Sequence, residues 1–274
     1  MRTDLNAIRL GIEGNVEGWI HFNRHTAFAS AENLALVAPF PPRELMQNTS
    51  GLTDNRDFAA HGCDILAALN LASPRPLSTF EHILDFGIGV GRVARMFKGF
   101  RGRYTGVDVD ARHVDWVSSS LDFARAVTST PRRPLPFEAG QFDGVISISV
   151  FTHMTEADQF FYLSELARVT VPGALLFLTV HGERALTRAE TEARIFAMLE
   201  VPRTAIDEAR KALEGKGFHF ILQHGHLTSN AYEYGITFIS DRYVRDEWSR
   251  YFSVKAVRSG AIHDFQDIVV LEAR

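Results

Sequence analysis

The apolar positions of this chain change period in a regular order. Ile83 and Leu84 run into Asp85 and Phe86, and the chain then breaks at Gly87, Gly89 and Gly91. Apolar residues return at helical spacing at Val93, Met96 and Phe97, so the stretch predicts a strand, a tight turn and a helix. A second strand is expected at Tyr104–Asp110, followed by a helix over 111–121 that turns Val114, Val117 and Leu121 inward. Residues 124–129 read as a third strand and 142–151 as a fourth. The helix predicted over 156–169 carries Phe160, Leu163, Leu166 and Ala167 on one face, and the run from Leu175 to Val180 reads as a fifth strand. Strands alternating with helices of this length predict an α/β fold with a parallel sheet.

The flanks are read less directly. Residues 1–40 mix Leu5, Ile8, Leu10 and Ile12 with Gly14, Gly18 and the aromatics Trp19, Phe22 and Phe28, which suits a small sheet or a docking arm. Pro39, Pro41 and Pro42 precede a short helix, because proline is tolerated in a helix's first turn. Thr53 or Asp54 is the expected N-cap of a helix over 55–71, with Phe58, Ile65, Leu66 and Leu69 on its buried face and Cys63 as a packing residue. Residues 183–239 exceed a minimal fold of this class. They predict helices over 190–199 and 204–213 and strands over 218–222 and 232–238. Ser240 then caps a helix over 241–251, and 252–257 with 268–272 make a final antiparallel pair.

Composition narrows the class. The chain has 274 residues, enough to bury a large core, and a net charge of −4 without a basic tract. That balance gives no electrostatic footprint for nucleic acid. No run approaches the roughly 18 apolar residues of a membrane span. The N-terminus shows no apolar signal-peptide region, and Cys63 is the only cysteine, so a reducing, cytoplasmic setting is expected. No His, Cys and Asp cluster has metal-ligand spacing, so no metal is expected.

The glycine turn carries the candidate chemistry. Glycine lets the backbone pass close to a ligand. A dinucleotide fingerprint needs G-x-G-x-x-G, but Arg92 stands where its third glycine belongs. Asp85, just before the turn, suits an ammonium better than a pyrophosphate. Asp108, 23 residues after Asp85, closes the second strand, where a carboxylate can accept two ribose hydroxyls.

These residues resemble the first two motifs of the class I S-adenosylmethionine (SAM) methyltransferases. The run Phe142-Asp143-Gly144-Val145-Ile146-Ser147-Ile148-Ser149-Val150-Phe151-Thr152-His153 resembles that family's fourth-strand motif, and Val171-Pro172-Gly173-Ala174 its turn into the fifth strand, with Ala174 in place of a second glycine. The stretch from Ser149 to Gly182 is similar to a bacterial subgroup associated with small molecules and glycans. The resemblance implies a Rossmann-like, doubly wound seven-stranded sheet with a C-terminal antiparallel strand pair. It divides the chain into an N-terminal arm with cofactor-covering helices over 1–76 and a SAM-binding domain over 77–274. Residues 183–239 form an insertion after the fifth strand, read as a substrate lid or a dimer contact. The helix over 55–71 is placed to cover the cofactor, so Asp54 and Arg56 are weighed as ligand contacts beside their capping role.

The implied cofactor is SAM, held by Asp85, Phe86, Gly87, Ile88, Gly89, Gly91, Arg92, Asp108, Val109 and Asp110, with Ser147, Ser149 and Val150 from the fourth strand. Asp110 is also a natural N-cap. The third strand ends without the acid many relatives direct at the adenine. Methyl transfer to a hydroxyl needs a base, and His153 and His181, after the fourth and fifth strands, are the candidates. Tyr232 and Tyr234 are candidate substrate contacts, with Glu233, His224 and His226 behind them. The expected function is transfer of a methyl group to a small-molecule or sugar acceptor, at oxygen. The alternatives are a SAM-fold binding protein without transferase activity and a nucleotide-dependent oxidoreductase.

Overall fold

A computed structural model describes residues 10–223 and 233–274 of the chain. Leu5, Ile8, His224, His226 and Tyr232, all singled out in the sequence, lie outside the described residues. The described strands are β1 (His82–Phe86), β2 (Arg103–Asp108), β3 (Ala124–Thr128), β4 (Phe142–Ser147), β5 (Thr170–Val180), β6 (Phe218–Leu222), β7 (Gly235–Ile239), β8 (Phe252–Ile262) and β9 (Gln266–Ala273). Seven form one sheet in the order β3-β2-β1-β4-β5-β9-β8, and β6 pairs with β7 in a second, two-stranded sheet. The expected seven-stranded sheet with a C-terminal antiparallel pair is therefore present. The chain forms two compact units, Met1–Ser129 and Thr130–Arg274.

In the first unit β1 pairs with β2 and β2 with β3, all parallel, so their carboxyl ends come out on one edge. Every residue of β1 is buried, as parallel strands with both faces covered require. The described N-terminal residues, from Leu10 on, form no sheet. They make a helix at Val16–His21, a π-helical turn at Phe22–Thr26 and a short helix at Ala31–Leu34. Long-range polar contacts decide that outcome, and these are invisible to local periodicity. The buried Trp19 indole donates to the Met96 carbonyl at 2.9 Å. The Arg95 guanidinium donates to the carbonyls of Pro39 and Ala38 and lies 3.7 Å over the Phe40 ring, while Lys98 reaches the Leu36 carbonyl. Burial pulls the Arg95 guanidinium down to about 9, so its backbone partners compensate a costly cation. The helix Asn55–Ala72 is capped as expected, with Asp54 accepting from the Arg56 and Asp57 amides, and it buries Phe58, Cys63, Ile65, Leu66 and Leu69.

The segment after the glycine turn departs from expectation. It is a series of turns and one 3-10 stretch, Ala94–Phe97, where an α-helix was expected. Gly91 and Gly99 bound it with positive φ angles of 77° and 82°, which interrupt right-handed helical backbone at both ends. Val93, Met96 and Phe97 are buried all the same. The apolar spacing therefore reports burial here rather than helix.

In the second unit β4 and β5 are parallel, whereas β9 runs antiparallel to both β5 and β8. The expected turn at Pro172-Gly173 is absorbed into β5 as an irregularity, where the register against β4 jumps between Thr170 and Leu175. The helix Glu156–Val169 is capped by Thr155 and buries Tyr162, Leu163, Leu166 and Val169, while Phe160 and Ala167 of the expected face are half-buried. The described residues of 183–239 pack around an apolar centre that Phe265 joins. The helices Glu183–Thr191, Ala193–Leu199 and Arg203–Gly215 place Leu186, Ala189, Ile206 and Ala209 against Ile221, Ile236 and Phe238 of the β6–β7 pair. The helix starting at Asp241 ends at Glu247, shorter than expected, and β8 extends to Ile262.

Candidate functional site

In the first unit the site is built on the turn that leaves β1. Gly87, Gly89 and Gly91 have φ angles of 82°, 53° and 77°, a region that residues with a Cβ avoid. The amides of Gly87 and Ile88 both donate to the Val107 carbonyl, at 2.8 and 3.1 Å, which locks the turn against β2. At Gly89 a close approach adds to the φ requirement. A Cβ there would lie 2.5 Å from the Thr49 methyl of the helix Arg43–Ser50. We expect Gly89→Ala to destabilise the fold by about 1–3 kcal/mol through backbone strain and this clash. Gly51, with φ 70° and open space around its missing Cβ, is the control. Gly51→Ala carries strain alone, so urea unfolding should show the smaller loss there, and equal losses would remove the Thr49 contact from the account.

Asp85 is buried and accepts from the Tyr104 hydroxyl at 2.7 Å. Burial drives its carboxyl up to about 7. The Tyr104 hydrogen bond opposes the rise, the Asp108 charge adds to it, and Arg92 opposes it. Burial lowers the Arg92 guanidinium to about 10, against the pull of Asp85. Tyr104, on the neighbouring strand, is a partner that the sequence reading did not weigh. Its phenol proton is held well above the ordinary value by burial and by Asp85. The register Ile83↔Tyr104 carries the signal, but only once the strands are paired.

Asp108 ends β2 with its side chain nearly enclosed. Its Oδ2 accepts from the Gly89 amide at 2.8 Å and its Oδ1 from the Asp110 amide at 2.9 Å. The glycine turn and the second-strand acid, separate in sequence, thus meet directly. Asp110 caps the helix Ala111–Ser120 by accepting from the Arg112 amide, and it also holds the Arg112 guanidinium. Val109 is half-buried between them. Arg56, weighed as a ligand contact, reaches the Phe28 carbonyl and stacks on that ring.

In the second unit Ser147 ends β4 fully buried, and its hydroxyl has no hydrogen-bond partner. Ser149 adopts a left-handed φ of 61°, unusual for a residue with a side chain. Its amide donates to the Thr179 hydroxyl at 2.8 Å, and its hydroxyl meets the Gln266 amide group. Val150, half-buried, precedes the 3-10 turn Phe151–His153. Gln266, which starts β9, is the polar partner this strained turn requires.

The two histidines do come together, with ring centroids 6.2 Å apart, but their surroundings differ. His181 is 3% exposed, and burial drives its ring down to about 3, with His153 adding and the Thr237 carbonyl opposing. It is held neutral and is a weak base. His153 is half-buried, stacks on Tyr234 at 4.6 Å and places Nδ1 2.7 Å from the Gly235 carbonyl. A carbonyl only accepts, so Nδ1 carries the proton and Nε2 carries the basic lone pair. Among the described residues no group of three or more His, Cys, Asp or Glu could hold a metal ion, and no helix is long and apolar enough to cross a membrane.

Comparison with known proteins agrees with this architecture. Residues 84–178 match the family described as "Methyltransferase domain". A protein from Pyrococcus horikoshii OT3 has a similar structure, with a TM-score of 0.57, 14% identity, and coverage of 86% of this chain and all of that one. A SAM-dependent methyltransferase from Mesorhizobium loti aligns with a TM-score of 0.50, 12% identity, and coverage of 76% and 97%. The glycopeptide N-methyltransferase MtfA, solved in complex with SAM, gives 0.50, 14%, 78% and 94%. The chain has the fold of the SAM-dependent methyltransferases, and a nucleotide-dependent oxidoreductase is not favoured.

Proposed function

We propose that the chain is a SAM-dependent methyltransferase acting at an oxygen of a small-molecule or glycan acceptor. The observation that carries this reading is the Asp108 carboxylate, oriented by the Gly89 and Asp110 amides at the end of β2. Each amide takes one lone pair, and the carboxylate keeps others free for a ribose hydroxyl. Asp85, buried beside the glycine turn, is a further polar group suited to the same cofactor. On this reading Asp85 to Arg92 line the methionine end, and Val109 and Asp110 border the adenine. Ser147, Ser149 and Val150 serve the cofactor from β4.

When bound, SAM supplies an electrophilic methyl group on a sulfonium. His153 then has one task. Its Nε2 would take the proton from the acceptor's hydroxyl. The Gly235 carbonyl fixes the tautomer and Tyr234 fixes the ring plane. Both belong to residues 183–239, which we read as the acceptor lid. His181 packs behind His153 and stays neutral.

Two measurements test the proposal. Calorimetry should detect S-adenosylhomocysteine binding and none for NAD, and the reverse result would overturn the cofactor. With an acceptor found by screening hydroxylated small molecules and sugars, His153→Ala should lower kcat by about 100-fold or more while leaving S-adenosylhomocysteine affinity unchanged. Full activity of that variant would remove His153 as the base.

A further inference from the structure

Next to Asp108 the first unit holds a second buried acceptor. His113 lies on the helix Ala111–Ser120 and is only 8% exposed. Its Nε2 is 3.2 Å from the Thr49 hydroxyl. That hydroxyl's single hydrogen is already donated to the Leu45 carbonyl at 2.8 Å, so at this contact Thr49 is the acceptor and Nε2–H the donor. In that tautomer the ring's lone pair is on Nδ1. This atom is buried, has no hydrogen-bond partner, and lies 3.5 Å from Asp108 Oδ1. Two acceptors therefore stand side by side with no donor between them, an arrangement that costs free energy unless a ligand supplies one. Asp110 Oδ2, 3.8 Å from Nε2, sits on the other side of the ring and favours a donor there too.

We propose that His113 is a ribose-binding residue, its Nδ1 accepting one of the two hydroxyls of the cofactor's nucleoside while Asp108 accepts the other. The inference rests on the reading that the cofactor is a nucleoside sulfonium. A vicinal diol presents two O–H donors at the separation that a carboxylate oxygen and an adjacent imidazole nitrogen can meet. Thr49 sets the tautomer that makes this work. The helix Arg43–Ser50, which rests its Thr49 methyl on Gly89, is thereby tied to recognition of the sugar. Histidine in the first turn of an amphipathic helix gives no sequence signal of such a role.

The experiment measures binding, not turnover, by calorimetry with S-adenosylhomocysteine and its 2′-deoxy and 3′-deoxy analogues. Wild-type protein should bind the parent compound, and each analogue should bind about 10-fold or more weakly, because each leaves one buried acceptor unpaired. In His113→Phe the parent should weaken by a similar factor, and the penalty for one of the two deoxy analogues should vanish. His113→Asn, whose amide oxygen can stand where Nδ1 stood, should restore most of the affinity and the penalty. Thr49→Val releases the tautomer and should weaken the parent compound with His113 intact. A His113→Phe protein that binds more weakly but keeps both deoxy penalties at wild-type size would show a packing role and overturn the proposal. If His113→Phe does not fold, an undiminished parent affinity in Thr49→Val would overturn it as well. Wild-type protein that binds no S-adenosylhomocysteine would instead refute the methyltransferase reading itself.

Discussion

Asp108→Ala should all but abolish cofactor binding, lowering S-adenosylhomocysteine affinity by about 100-fold or more. A charge-assisted hydrogen bond to a ribose hydroxyl, at about 1.5–3 kcal/mol, would be lost. A second loss comes from inside the protein, because the Gly89 and Asp110 amides would each lose their acceptor. The turn that carries Gly87 and Gly91 would then be held mainly by the Val107 carbonyl. Asp108→Asn separates the two effects. Its one remaining oxygen can satisfy either amide but not both, so it should fall between wild type and alanine. Isothermal titration of the three proteins checks this, and equal affinities would sink the assignment of Asp108 to the ribose.

The second large effect is on stability and has the opposite sign. Asp85 is raised from its ordinary 3.8 to about 7, chiefly by burial. Between those two values the folded protein holds a proton that the unfolded chain has released. The stabilising contribution of the protonated form is fully present below 3.8 and lost as pH rises to about 7. The linkage is worth about 1.4 kcal/mol per pH unit, so it sums to several kcal/mol at most across the window. Asp85→Asn keeps an acceptor for the Tyr104 hydroxyl and has nothing to ionise. Its stability relative to wild type should climb between pH 4 and 7 and level off above. Urea unfolding at pH 4.5, 6 and 7.5 gives the test, and a pH-independent difference would refute the raised pKa. If Asp85 serves the cofactor's ammonium, the same variant should bind S-adenosylhomocysteine more weakly, a trade of function for stability.

Other buried groups shape the wild-type curve, which is why the comparison must be made between proteins. Asp267, raised to about 6 by burial, acts with the same sign as Asp85. His181 acts oppositely. Its folded value of about 3 lies below the ordinary 6.5, so its contribution is lost as pH falls through that range.

Much of the fold was legible because strand and helix periods are local. Leu84, Asp85 and Phe86, Val107 and Asp108, and Val145 to Ser147 read as strands from their composition and spacing alone. The caps at Asp54, Asp110, Thr155 and Ser240 could be read because a helix's first amides need an acceptor close in sequence. The 3-10 stretch Ala94–Phe97 was misread for the converse reason. Its apolar residues are buried at helical spacing, but the positive-φ glycines on either side interrupt the helical backbone. The N-terminal segment was opaque because its partners are more than 50 residues away: Arg95 and Lys98 satisfy the carbonyls of Pro39, Ala38 and Leu36, and the Met96 carbonyl accepts from the Trp19 indole.

The sequence by itself determined the order of strands and helices, the three-glycine turn between Asp85 and Arg92, and the acid at the end of the second strand. These depend on backbone conformation and on neighbours a few residues apart, which the chain writes directly. Only the tertiary structure decided which groups meet. It joined Asp108 to the Gly89 amide and Asp85 to the Tyr104 hydroxyl, and it set His113 between Thr49 and Asp108. It also parted two similar histidines, one driven to about 3 by burial and one half-buried with its tautomer fixed by a carbonyl. Protonation and hydrogen bonding respond to burial and to partners far apart in the chain, and those exist only once the chain is folded.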